Sequence, residues 1–434
     1  MKKQLSQRNS PFSFYSLILI VLLIRFPNFY LILHGSFFLT HTIARILLIF
    51  LTILLLIRQA TKARYLAQTI SPFIWIYFMG ISLSIVHASN LLSFFTIYKD
   101  IIFSLLLFIS VYLIIDSEFF NQFLWVLCGI VCASLVMELS ILFYPQYILP
   151  VLSYITHETY LQYFSYQYQR GRLFGDSLNE AFIPILFIVI IAIKNRALRF
   201  GSLVTLSSSL LITTLVSGWR TKLVVLFISS ICTLLFLAKK QVRLTLLILL
   251  FSTMLVTISY SYLSGQVKIL TSVERLFNLD VPTARENRSR ISYLKEAIEV
   301  GASSPLFGVG LGNYFDSLSQ KSKETKQVGL NGFGGRPLII IDDPHNMFIG
   351  AFATTGIIGV ISLILLMSSF AWKDVRNFFH LSSQMRAVII SFWSIVLFAF
   401  FNPWLYFQYL SLFWMIRGLI EKGHYIFAKS HEER

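Results

Sequence analysis

The sequence predicts an all-α protein, a polytopic membrane helical bundle of about 12 transmembrane helices with one large loop on the outer face. Three observations carry this. Of the 434 residues, 56% are hydrophobic and the mean hydropathy is +0.72. Only 13% are charged, about half the rough quarter found in soluble domains, so water is not the main solvent. Apolar runs of about 20 residues, the length that crosses a bilayer's hydrocarbon, recur from end to end. Aromatic residues reach 16%, and many stand near the ends of these runs, where amphipathic rings favour the interface.

The runs begin near Phe14, Phe38, Leu66, Ile101, Phe123, Ala181, Leu203, Leu223, Leu244, His345, Ala387 and Trp404. The basic start, Met1-Lys2-Lys3 to Arg8, precedes the first run without a small-residue cleavage site. That run reads as a retained span and not a signal peptide. Orientation follows from short-loop charge. Arg58-Lys62-Arg64, Lys194-Arg196-Arg199, Lys239-Lys240-Arg243 and Lys373-Arg376 all fall in even-numbered gaps, and Arg417, Lys422 and Lys429 follow in the tail. The gap with Asp116 and Glu118 is the exception. The positive-inside rule then puts both termini in the cytoplasm. Residues 1–262 hold the N-terminal spans, with a first outer segment near 144–179. Residues 263–344 form the large outer loop, and 345–434 hold the C-terminal spans. Loops of this length usually carry function.

The formal net charge of +16 is accounted for by these cytoplasmic loops, so it does not call for nucleic acid. Cys128, Cys132 and Cys232 all lie inside apolar runs and read as packing. No metal-ligand spacing, paired-carboxylate motif or Walker loop is present, so neither a metal nor a nucleotide cofactor is expected.

Within the large loop, Ser289 to Val300 reads as an amphipathic helix. Ile291, Leu294 and Ile298 share one face, and Gly301 and Pro305 end it. Next comes Gly308-Val309-Gly310-Leu311-Gly312-Asn313-Tyr314. No strand precedes it, so it reads as tight turns allowing close backbone approach. The loop ends at Asp342-Asp343-Pro344-His345-Asn346. Asp is a good N-cap and Pro suits the first helical position. His345 is therefore expected in the first turn of a span, at the outer rim. A helix N-terminus disfavours an imidazolium, and a neutral imidazole there suits a general base, whereas the preceding Asp342 and Asp343 push the other way and favour the protonated ring. The plain alternative is an interfacial polar cap.

Cations supply the other candidates. Arg220 follows the Ser217-Gly218-Trp219 turn and opens an apolar run. An Arg at a membrane rim often pairs with an anion; the alternative is a snorkelling side chain, the reading given to nearby Lys222. Arg285, Arg288 and Arg290 precede or open the amphipathic helix. Their forks match phosphate oxygens, against the alternative of a solvated charged face. Arg172, in Arg170-Gly171-Arg172-Leu173-Phe174-Gly175 before Asn179 and Glu180, would add a cationic wall.

Together these segments resemble the bacterial O-antigen ligase and polymerase superfamily. That family's pattern is an Arg turn, then Arg-x3-Trp/Leu … Pro-x-x-Gly-x-Gly-x-Gly, then His-Asn and a Gly-rich helix. The matching positions are Arg220, Arg290, Leu294, Pro305, Gly308, Gly310, Gly312, His345, Asn346, Gly356 and Gly359. Arg172, Gly175 and Asn179 match the turn before an earlier span. Leu294 stands where the family often has Trp, and Trp219 stands where it often has Ser.

The resemblance implies a membrane C-type glycosyltransferase in the bacterial inner membrane, with its site on the periplasmic side and no metal or other cofactor. Its donor is a glycan on undecaprenyl diphosphate, and its acceptor a glycolipid or glycan hydroxyl. It implies His345, Arg220 and Arg290 as catalytic, and Arg172, Arg288 and Asn346 as substrate-binding. Of the three loop arginines, Arg290 is chosen because it alone stands four residues before Leu294. Ligase, joining a glycan to lipid A-core, is favoured over polymerase of lipid-linked repeats. The rival from another class is a polysaccharide flippase or transporter, although no internal symmetry of the transporter kind is visible.

Overall fold

A computed structural model describes residues 11–25, 38–69, 71–144, 146–148, 178–217, 220–238, 290–321, 346–402 and 407–432. Among them every regular element is helical. In order they are α1 (Pro11–Arg25), α2 (Phe38–Arg58), α3 (Ala60–Thr69), α4 (Pro72–Leu83), α5 (Leu91–Ile114) and α6 (Ser117–Phe143). Then follow α7 (Ile183–Ile191), α8 (Arg196–Ser217), α9 (Arg220–Phe236), α10 (Arg290–Ser303) and α11 (Tyr314–Lys321). The last three are α12 (Met347–Asn377), α13 (Ser383–Ala399) and α14 (Phe407–Glu432). Short 3-10 turns cover Ser84–His87, Asn179–Phe182 and Phe378–His380.

The helix starts follow capping chemistry. Asn90 caps α5 by accepting from Ser93 N, Asp116 caps α6 by accepting from Glu118 N and Phe119 N, and Ser382 caps α13 by accepting from Met385 N. These side chains satisfy backbone donors that have no partner within the helix. Pro72 opens α4, where its missing N–H costs nothing.

Among the described residues, α5, α6, α8 and α12 are long and apolar enough to cross a membrane. The pair α2–α3, bent by 98°, makes a fifth if taken as one span. Shorter apolar helices include α1, α4, α7, α9 and α13. The fold is thus the expected helical membrane bundle, but the described residues carry four or five full-length spans and not a count of twelve. The run near Leu244 and most of the large loop lie outside them. The fourth span starts at Leu91, ten residues before the expected Ile101. Lys99 and Asp100 sit inside α5, where Asp100 pairs with Arg45 of α2.

The core centres on Trp414 of α14, which is fully buried among Phe78, Phe108, Phe370 and Phe413. Small residues let the backbones approach. A Cβ on Gly418 would stand 2.7 Å from Phe108 O, and one on Gly80 would stand 2.6 Å from Ser362 Oγ. Arg417 and Lys422 are 0% and 2% exposed. They belong to this packed helix and not to an exposed cytoplasmic tail, as the charge pattern had suggested.

The contacts fix which helix ends lie together. Arg386, in the first turn of α13, donates from Nη1 to Phe236 O at the end of α9, at 3.3 Å. The Phe236 ring also meets Phe378, just past the end of α12, with centroids 5.3 Å apart. At the far end of α13, Phe400 O accepts from Asn346 Nδ2 at 2.9 Å, beside the start of α12. So α9 and α12 begin at the same end of the bundle, where α13 finishes.

Candidate functional site

The glycine-rich segment after α10 is bound to a break in α12. Gly356 has φ +66 and ψ −166 inside that helix, a conformation that only glycine adopts without strain. The break frees backbone groups on both sides, and residues 305–310 take them up. Val309 N and Gly310 N donate to Ala353 O and Thr354 O, at 3.0 and 2.9 Å. Ile357 N and Ile358 N donate to Pro305 O and Leu306 O, at 2.8 and 3.3 Å. The result is a clasp of four hydrogen bonds across a helix discontinuity.

The turns that the sequence assigned to Gly308, Gly310 and Gly312 are present, with φ of 65°, 90° and 72°. Each also meets another backbone closely. A Cβ on Gly308 would strike the Thr354–Gly356 backbone, one on Gly310 would lie 2.7 Å from Ala88, and one on Gly312 would lie 2.5 Å from Ser93 O. Next to them Asn313 is fully buried. Its Oδ1 accepts from Asn90 N (2.7 Å) and Ser89 Oγ (3.1 Å). Its Nδ2 donates to Leu311 O (2.8 Å) and Asn90 O (3.3 Å). One amide thus joins the clasp to the α4–α5 corner, where His87 also stacks on Phe307.

Beside the clasp, a Cβ on Gly301 would strike the Phe352 ring, so α10 packs against the first part of α12. Its buried face is Ala297, Val300 and Gly301, while Ile298, on the apolar face expected from the sequence, is 49% exposed. Close contact with α12 selects small side chains, and the helix runs through Gly301 to Ser303.

The start of α12 is also corrected. Asn346, with φ −155 and ψ 124, is the N-cap, and its Oδ1 accepts from Phe348 N (3.0 Å) and Ile349 N (2.9 Å). The helix therefore begins after His345, not before it with Asp343 as cap. His345 itself lies outside the described residues, as do Arg172 and Arg288. The Asn346 amide is engaged at Oδ1 and through one Nδ2–H bonded to Phe400 O.

Arg220 and Arg290 each occupy the first position of a helix, α9 and α10, and their side chains lie outside the description. The backbone starts of α9 and α12 thus share one end of the bundle, and α10 packs against the first part of α12. Lys222, in the first turn of α9, does not snorkel. It is 1% exposed, with Nζ 3.8 Å from Glu180 Oε1, and Glu180 is equally buried. Thr214 Oγ1 of α8 donates to the same oxygen at 2.8 Å, and Ser229 Oγ of α9 donates to Glu180 O at 3.0 Å. The neighbouring Asn179 donates from Nδ2 to Ser134 (3.2 Å) and Glu138 (3.3 Å) of α6. An apolar groove between α7, α8 and α9 runs beside this cluster, lined by Ile183, Leu186, Leu206, Leu210 and Leu226.

Sequence reasoning missed this cluster and a second one at the opposite end. There Arg417 Nη1 bonds both oxygens of Asp374 (3.0 and 2.9 Å), and its Nε bonds Glu421 (3.0 Å). Lys373 pairs with Glu421, and Trp393 Nε1 donates to Asp374 at 3.0 Å. The guanidinium stacks 3.9 Å over Phe370. A usable signal existed in both places, since a charge inside an apolar run needs a partner. Among the described residues no group of three or more His, Cys, Asp or Glu is placed to hold a metal ion.

Comparison with known proteins adds the family. No curated protein matches the chain. Residues 203–364 match the family model described as O-antigen ligase. That stretch covers most of α8, all of α9 and α10, the glycine clasp, Asn346 and the break at Gly356. Over that stretch the chain is similar to the O-antigen ligase family, as the order of its motifs implied.

Proposed function

We propose that the chain is an O-antigen ligase-like glycosyltransferase. It moves a glycan from undecaprenyl diphosphate to a hydroxyl acceptor, lipid A-core, at the periplasmic face of the bacterial inner membrane. The observation that carries this reading is the family match over residues 203–364. The common end of α9 and α12 supports it, because those helix starts hold Arg220 and Asn346, and α10, which opens with Arg290, packs against α12. Short-loop charge supports the periplasmic side for that end.

The chemistry asks for few parts. Undecaprenyl diphosphate is a good leaving group, so the transfer needs no strong general acid. The negative charge that grows on the diphosphate as the glycosidic bond breaks must be stabilised. Arg220 and Arg290 take that part as preorganised cations, with Arg288 and Arg172 as further anion contacts. His345 orients the acceptor hydroxyl or accepts its proton. It precedes a neutral Asn cap and the positive end of a helix dipole, a setting that favours the unprotonated ring. Asn346 fixes the helix start and offers its second Nδ2–H to substrate. The apolar groove beside α9 gives the carrier's prenyl tail a surface free of charge.

The test uses purified full-length protein, carrier-linked repeat units and a lipid A-core acceptor. Transfer to the acceptor is expected, falling by about 10²–10³-fold when Arg220 or Arg290 becomes Gln. Chain growth on the carrier with no acceptor present makes the protein a polymerase of lipid-linked repeats instead. Unchanged transfer in Arg220→Gln and His345→Ala overturns the transferase site altogether.

A further inference from the structure

Glu180 and Lys222 form an ion pair in which both side chains are 1% exposed. Stability does not favour such a pair. Two charges removed from water are often replaced by apolar side chains at no loss. Lys222 is doubly disfavoured, because a cation in the first turn of a helix opposes the helix dipole. Yet the chain builds this pair on the turn that opens with Arg220, two residues earlier.

Glu180 is also held with more care than charge neutralisation needs. Thr214 of α8 donates to Oε1, and Ser229 of α9 holds its carbonyl oxygen. The adjacent Asn179 is bonded to Ser134 and Glu138 of α6. Three helices are thus gathered at the 3-10 turn where α7 begins. Among the described residues the contacts of the carboxylate fall on Oε1, and Oε2 is buried with no hydrogen-bond partner, an arrangement that native interiors seldom tolerate without a use.

We infer that Glu180 and Lys222 are positioning residues for glycan transfer, fixing the first turn of α9 and the charge it presents. This rests on the part proposed for Arg220. The carboxylate ties down the Lys222 ammonium. The remaining positive charge of the turn, Arg220 and the first-turn N–H groups, is then what meets the donor diphosphate. Without the carboxylate, the buried ammonium turns to the next anion available. The diphosphate is then held more tightly, but out of line with the acceptor.

The test uses the full chain in lipid nanodiscs, with undecaprenyl diphosphate as the binding probe. The donor for turnover is carrier-linked glycan extracted from cells that lack the protein. In Glu180→Gln, binding of undecaprenyl diphosphate should tighten about threefold, the size of one modest charge interaction. Its kcat should fall at least about tenfold, as expected of a small misplacement. Lys222→Met should weaken binding and also lower kcat. The double variant Glu180→Gln/Lys222→Met removes both charges and keeps the local balance. Its binding should return to the original value while kcat stays low. It also carries the test if either single variant fails to fold, which melting temperature and gel filtration monitor.

A double variant with the original kcat overturns the inference, because the pair would then only offset its own burial. So does Glu180→Gln with binding and turnover reduced in equal proportion. Arg220→Gln separates the two readings. If that variant loses transfer while the pair variants keep it, only the positioning inference fails. If Arg220→Gln transfers normally, both fail.

Discussion

The two ends of α12 are held in different ways. Near its C-terminus, Lys373 and Asp374 enter a cluster with Arg417, Glu421 and His424, and Arg417 is stacked over Phe370. Near its N-terminus, its contacts among the described residues include backbone hydrogen bonds to residues 305–310, the Asn346 cap and its bond to Phe400. The first arrangement uses charge to hold helices together. The second holds them with neutral amides and glycines. The contrast teaches where charge is spent. The neutral scaffold around the start of α12 lies at the same end as the first turn of α9, where the buried charge is the Lys222–Glu180 pair.

Substitutions at three positions test this contrast, in descending order of effect. Arg417→Met leaves Asp374 and Glu421 buried without their shared cation. A loss of about 3–5 kcal/mol is expected, read by denaturant unfolding in mixed micelles, with transfer per folded molecule unchanged. A loss below about 1 kcal/mol would show that the cluster rearranges, and the contrast would collapse. Gly356→Ala forces an L side chain into positive φ and against the Leu306 and Phe307 backbone. The strain alone should cost about 1–3 kcal/mol, and here transfer per folded molecule should fall too. Asn346→Ala removes a cap and should cost about 1 kcal/mol. Asn346→Asp keeps the acceptor of the cap but loses the donor to Phe400 O, so it should retain most of the stability and little of the α13 contact.

Much of the fold was legible because apolar length and caps are local signals. The start at Phe38, the helix after residue 289 and the turns at Gly308, Gly310 and Gly312 were all readable from a few neighbouring residues. Most of the ion pairs were not, because partners such as Arg417 and Asp374 are 43 positions apart. The exception is Glu421, four residues after Arg417 on the same helix face. Lys222 looked like a snorkelling cation for the same reason. Charge near the end of an apolar run has two outcomes, water or a buried partner, and local pattern does not choose between them. The packed face of α10 was not legible either, because contact with α12 uses Ala297, Val300 and Gly301, whose small side chains give no apolar periodicity. For the site, Arg220, Arg290 and Asn346 were legible as helix-start residues, whereas Glu180 became visible only through its partners.

The break in α12 bears on how the chain is made. Synthesis runs from the N-terminus, so residues 305–310 leave the ribosome before Ala353 to Ile358 do. When α12 enters the bilayer, the carbonyls of Ala353 and Thr354 and the amides of Ile357 and Ile358 have no partner within the helix. Lipid offers none. They are satisfied only when the earlier segment is already waiting beside them. Insertion of this span and closure of the clasp are therefore coupled, and assembly of this end of the bundle waits on the arrival of a single glycine.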